Sequence, residues 1–200
     1  RFKNVKSIKI LNLKFNFGHD RAIAIGLKYL YKNKSFDYVI TMDSDGEDNP
    51  KYLKKFIEKI KNHKNLTIVA RRKKRSVSPV FSSLYFFHLL VLFLFVGKWI
   101  NYGGYNCLSK LKVKYLIKQK TLWGNYSATI FSIDKKLIFL DTNRSKRYYG
   151  PSQMNYYKLF LHSLSIFAVF KKDVFYRIFF LIFLNLIIII FSNSFIFYIS

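Results

Sequence analysis

From residue 178 to residue 200 the chain reads IFFLIFLNLIIIIFSNSFIFYIS, without a single charged side chain. A helix needs about 20 apolar residues to cross the hydrocarbon of a bilayer. This run is apolar all round rather than along one stripe, which excludes an ordinary half-buried surface helix. The sequence therefore predicts a transmembrane helix over 174–200. The SNS at 192–194 is the place where a turn into a second span would make it the start of a helical pair. The soluble alternative is a buried core helix. Lys171, Lys172 and Arg177 stand at the head of the run, and the tendency of basic flanks to stay inside sets the preceding residues on the cytoplasmic face.

Residues 1–173 suffice for one hydrophobic core and little more. The whole chain carries 35 Lys+Arg against 10 Asp+Glu, a net charge of +25. Such a surface seeks polyanions, namely nucleic acid, an anionic membrane face or phosphorylated substrates. A Lys/Asn/Ile/Phe-rich vocabulary accounts for part of the excess. Cys107 is the single cysteine, which excludes an intramolecular disulfide and a cysteine-rich metal site. His19, His63, His88 and His162 show no metal-ligand spacing and read as structural.

Local patterns alternate. SIKILNL at 7–13 alternates apolar and polar residues and suggests a strand. DRAIAIGLKYLYKN at 20–33 puts Ala22, Ile23, Gly26, Leu27 and Leu30 on one helical face, with Asp20 as a cap. YVITM at 38–42 and LTIVA at 66–70 read as short buried strands, and a helix opens at Pro50 with Leu53, Phe56, Ile57 and Ile60 at helical spacing. Strand and helix in turn predict an α/β layered, Rossmann-like domain with a largely parallel sheet. The uncharged stretch at 76–97 reads as a helix lying at the membrane interface or packed on the domain, ahead of a true span, because Pro79, Ser82, Ser83 and His88 interrupt it.

Ligands of such sheets sit beyond the carboxyl ends of the strands. Both charge clusters fall there: Asp43, Asp45, Glu47 and Asp48 after one strand, and RRKKR at 71–75 after another. Alternating carboxylates on a loop leaving a strand can aim oxygens at one hard cation, magnesium or manganese, and that cation can neutralise a diphosphate. A calcium-binding EF-hand is a poor fit, since its glycine and closing glutamate positions hold Asp48 and Lys54.

Taken in order, NFGHDRAIAIGL, DYVITMDSDGEDNP, VARRKKRS and NRSKRYYGPSQMNYYKLFLHSLS resemble the family 2 glycosyltransferases, and within them the dolichyl- or undecaprenyl-phosphate sugar transferases. The resemblance covers most of residues 16–177. It implies a GT-A-like nucleotide-diphospho-sugar transferase domain over 1–173, interfacial helices included. It also implies inversion at the anomeric carbon, a nucleotide-diphosphate sugar as donor, and a polyprenyl phosphate or other cell-envelope acceptor. Asp43 and Asp45 match the metal-binding DxD, and Glu47 stands at a third ligand position. Arg72 and Arg75 match a basic pair that meets donor or acceptor phosphate. Arg144 or Arg147, Gly150 and Ser152 match the late basic segment over the acceptor site, and Asn16 and Gly18 match the donor-side loop.

Departures from the pattern are equally specific. The family's opening strand has no counterpart before Arg1, so the chain is expected to be a fragment of the domain that binds no donor alone. The stretch TLWGNYSAT at 121–129 holds no acid where relatives with other acceptors carry a catalytic one, and neither Asp134 nor Asp141 has a motif to make it the base. Two other classes remain: a catalytically inactive membrane scaffold of the same fold, and a basic nucleic-acid-binding protein. The last is disfavoured, because most aromatics fall in apolar runs and the acids would repel a nucleic-acid backbone at the cleft.

Overall fold

The computed structural model describes residues 5–72, 79–100, 102–134, 136–150 and 155–199. In chain order the elements are α1 (His19–Asn33), β1 (Tyr38–Thr41), α2 (Leu53–Asn62), β2 (Thr67–Arg72), α3 (Pro79–Val96), β3 (Tyr102–Ser109), α4 (Lys110–Leu116), α5 (Tyr126–Ile133), β4 (Leu137–Thr142), α6 (Tyr156–Val169) and α7 (Lys171–Ile199). Short 3-10 turns at Pro50–Tyr52 and Lys120–Trp123 lead into α2 and α5.

The strands form one sheet in the order β1-β3-β2-β4. β1, β2 and β4 point the same way, as an α/β layered domain requires. β3 is inserted antiparallel, with Thr41 opposite Asn106 on one side and Ile68 opposite Cys107 on the other, so the sheet is mixed. β2 and β4 pair in parallel from Thr67↔Leu137 to Arg72↔Thr142.

Alternation along the strands sets the layers. Ile68 and Ala70 of β2 and Tyr105 and Cys107 of β3 meet Phe56 and Ile60 of α2 on one face. Val69 turns the other way, toward Leu92, Ala128 and Ile166 of α3, α5 and α6. Leu108 joins Ala24, Leu27, Val113 and Tyr126 beneath α1, α4 and α5. Phe56 is fully buried, and its truncation to Ala costs about 3–5 kcal/mol.

Two local expectations change. Residues 7–13 form no strand: Ile8 and Ile10 are exposed, and the segment has no ladder partner among the described residues. Alternation alone does not make a strand when no neighbour takes up its backbone groups. Asp20 does not cap α1, whose N-cap is Gly18 at φ 82° with no side-chain bond. Its carboxylate instead accepts the backbone N–H of Tyr126, at 2.9 Å.

α7 runs through residues 192–194 as one helix of 29 residues, so the turn offered by SNS is not taken. Its Lys171–Ser192 portion has a mean hydropathy of 2.6 and is 0% buried against the rest of the described chain. By length and composition it can cross a membrane. Its first turns are clamped to α3: Arg177 donates to the Leu94 carbonyl at 3.3 Å, and Lys98 lies 3.7 Å from Asp173. Gly97, at φ 74°, leaves the space that the Arg177 guanidinium fills.

Candidate active site

The carboxyl ends of β1, β2 and β4 share one edge of the sheet, and the amino end of β3 joins them there. The acid loop leaves β1 at this edge. Its shape is set from within: the buried Asp48 carboxylate accepts the Asp43 N–H at 2.9 Å, and Asp45 Oδ1 accepts the Glu47 N–H at 2.9 Å. Gly46 supplies the left-handed turn at φ 91°. Beneath the loop the Tyr105 hydroxyl donates to the Asn49 carbonyl at 3.1 Å. Burial, with Asp48 and Tyr52 adding to it, pushes the Tyr105 phenol up to about 12, so it stays a donor.

α1 reaches the same edge. Asn16 Oδ1 accepts the Gly18 N–H at 3.0 Å and shapes the entry to the helix. The next residue, His19, brings Nε2 to 3.8 Å from Asp43 Oδ1. A side chain on Gly104 of β3 would meet both, its Cβ falling 3.4 Å from His19 Nε2 and 3.7 Å from Asp43 Oδ1. His19, read as structural from spacing alone, thus stands beside the acid loop. Position in the first turn of a helix that starts at the sheet edge was the signal.

Residues 143–150, which follow β4, return as a strap over the acid loop. Arg144 pairs with Glu47, and Arg147 Nη2 lies 3.2 Å from Asp45 Oδ2 and 3.2 Å from Glu47 Oε2. The strap is also held through its backbone, by Ser145 N–H to the Glu47 carbonyl at 3.0 Å and Tyr148 N–H to the Asp45 carbonyl at 2.9 Å. A narrow crevice between loop and strap is lined by Glu47, Asp48, Asn49, Tyr105, Thr142, Asn143 and Arg144.

The remaining expected residues divide. Arg72 ends β2 opposite Thr142, whereas Arg75 and Ser152 lie outside the described residues. Arg71, which carried no assignment of its own, pairs with Asp141 at 2.9 Å at the same sheet edge. Asp134 is remote from the site. It is buried at the opposite end of β2, accepting from Thr67 Oγ1 at 2.5 Å and pairing with Lys112 at 2.9 Å. The acid-free stretch at 121–129 is held structurally: Asn125 accepts the Ala128 N–H at 2.8 Å and donates to Ser165 at 2.9 Å. Buried Tyr126, its phenol pushed up to about 12 chiefly by burial, bonds Thr41 Oγ1 at 2.9 Å.

Among the described residues no three His, Cys, Asp or Glu side chains gather closely enough to hold a metal ion. Carboxylate oxygens are the donor type that a hard cation takes. Asp43 and Asp45 offer carboxylate oxygens from one loop, and Asp43 faces His19 rather than an arginine. Glu47 is engaged by two guanidinium groups.

Comparison with known proteins gives two matches. The pattern described as glycosyl transferase family 2 matches residues 2–137. An uncharacterized glycosyltransferase of Synechocystis sp. is 25% identical over 166 residues, which cover 82% of this chain and 51% of that protein. The chain spans about half the length of the curated relative it matches.

Proposed function

Because the chain belongs to glycosyl transferase family 2, we propose that it carries the catalytic site of a membrane-anchored enzyme moving a sugar from a nucleotide-diphosphate sugar to a lipid phosphate. A polyprenyl phosphate is the acceptor its chemistry favours, with another envelope acceptor as the alternative. The observation that carries the reading is the meeting of Asp45 and Glu47 with Arg147 and Arg144 at the carboxyl edge of the sheet, with Asp43 on the same loop. Opposite charges at one strand edge can serve a cation and a phosphate together.

Asp43 and Asp45 would hold magnesium or manganese. The bound cation would offset the charge that develops on the leaving diphosphate. Arg144 and Arg147, with Arg72, Arg75 and Ser152 by resemblance, bind phosphate oxygens of donor and acceptor. Asn16 and Gly18 shape the donor-side turn next to His19. A phosphate acceptor is already an anion, so it needs positioning more than deprotonation. That fits a stretch at 121–129 without an acid.

α7 anchors the chain, and α3 lies at the interface beside it, with Phe86, Phe87, Leu90, Phe93 and Trp99 exposed along its outer side. Lys171, Lys172 and Arg177 favour the cytoplasmic face for the domain.

The test incubates the intact protein in membranes with a panel of nucleotide sugars and a polyprenyl phosphate, with and without manganese. Metal-dependent transfer to the lipid is expected. Donor hydrolysis without transfer would remove the lipid acceptor, and no donor turnover would overturn the reading.

A further inference from the structure

The strap does more than border the acid loop. Both oxygens of Asp45 are occupied, Oδ1 by the Glu47 N–H at 2.9 Å and Oδ2 by Arg147 at 3.2 Å. Arg147 reaches Glu47 as well, at 3.2 Å, and Arg144 pairs with the same Glu47 oxygen. These pairs are only partly open to water, with Asp45 27% and Glu47 13% exposed, so screening weakens them less than surface pairs. Asn49 Nδ2 donates to Ser145 Oγ at 2.9 Å, tying the middle of the strap down. The Tyr148 ring rests on Gly46, where a built Cβ would lie 2.8 Å from it. The turn glycine of the acid loop is thus also the seat of a strap side chain. The strap, at 143–150, lies beyond the residues 2–137 that match the family.

A cation cannot take Asp45 Oδ2 while Arg147 holds it. Arrival of a cation alone would leave a guanidinium facing the metal, which is repulsive. Arrival of a cation with a diphosphate conserves every pairing, because the guanidinium can move to a phosphate oxygen.

We propose that the strap is a self-inhibitory latch in which Arg147 occupies the cation's place at Asp45, and that a cation and a diphosphate open it by exchanging partners. Asp45 passes from Arg147 to the cation, and Arg147 passes from Asp45 to phosphate. This rests on the cation reading of Asp43 and Asp45 given above. Its consequence is that the latched site resists the metal alone, since affinity is reduced by the fraction of molecules in which the latch is open.

The test measures manganese binding to the intact protein in detergent by electron paramagnetic resonance, with no sugar donor present. Arg147→Ala is expected to bind manganese about tenfold more tightly than the parent chain. With a nucleoside diphosphate added, the order should reverse, because the variant has lost a phosphate ligand. Tyr148→Ala removes no charge and should also tighten manganese binding by unseating the strap from Gly46. If Tyr148→Ala or Arg147→Ala binds manganese alone no better than the parent chain, the latch is overturned while the cation site stands. Manganese binding by no form, with or without the diphosphate, overturns the cation reading and the latch together.

Discussion

The Asp20 carboxylate accepts the backbone N–H of Tyr126 at 2.9 Å, so the first turn of α1 caps the first turn of α5 across 106 positions. The bond fixes α1, and therefore His19 beside Asp43, against the floor of the site. Asp20→Ala should destabilise the fold by about 1 kcal/mol, the usual cost of a lost cap. Asp20→Asn, which keeps an acceptor oxygen, should recover most of it. Denaturant unfolding of both variants checks this, and equal losses would contradict a capping role.

Asp134 and Asp45 are both acids of the domain, yet the structure gives them opposite consequences. Removing Asp134 leaves buried Thr67 and half-buried Lys112 without their partner, and losing one partner of such a pair costs up to roughly 3 kcal/mol. Asp134→Ala should lower the unfolding midpoint sharply while leaving donor turnover per folded molecule unchanged. A selective loss of turnover at unchanged stability would instead make Asp134 a candidate base.

Much of this arrangement was readable in advance, and the failures have physical causes. β1 and β2 were legible as short apolar, β-branched runs and α2 by its helical period, with Phe56 and Ile60 buried, although Ile57 is exposed and β1 is only partly buried. β3 was not, because YGGYNCLS is buried on both faces and so shows no alternation, while its two glycines imitate a loop. β4 carries no such expectation, although LIFL is an apolar run of strand length. The acids and the late arginines were each visible as clusters. Their pairing was not, since Arg147 and Glu47 are 100 positions apart and only the return of the chain after β4 joins them.

Stability should fall on mild acidification. Burial depresses the His162 imidazole below its ordinary value of 6.5, with Asp20 opposing and His19 adding to the shift. Below 6.5 the unfolded chain takes up a proton that the folded chain resists, so stability is full above that pH and declines beneath it. His162→Gln should flatten this part of the profile. Thermal unfolding between pH 7.5 and about 5 reads it, and an unchanged slope in the variant would contradict the assignment.

Cys107 is 1% exposed, and burial pushes its thiol up to about 12. A thiol reagent at pH 8 should therefore label it only at the rate of global opening, and quickly once denaturant unfolds the sheet. Rapid labelling of the native chain would mean that β3 is not the buried centre of the sheet.

Donor turnover by the intact protein in membranes, with and without manganese, compared between the parent and Asp45→Asn, tests the central claim most directly. The account predicts metal-dependent release of nucleoside diphosphate by the parent and its loss, by at least about a hundredfold, in a variant that unfolds at the same temperature. Turnover that persists in Asp45→Asn, or that ignores the metal, would contradict the assignment of the acid loop as the site of glycosyl transfer.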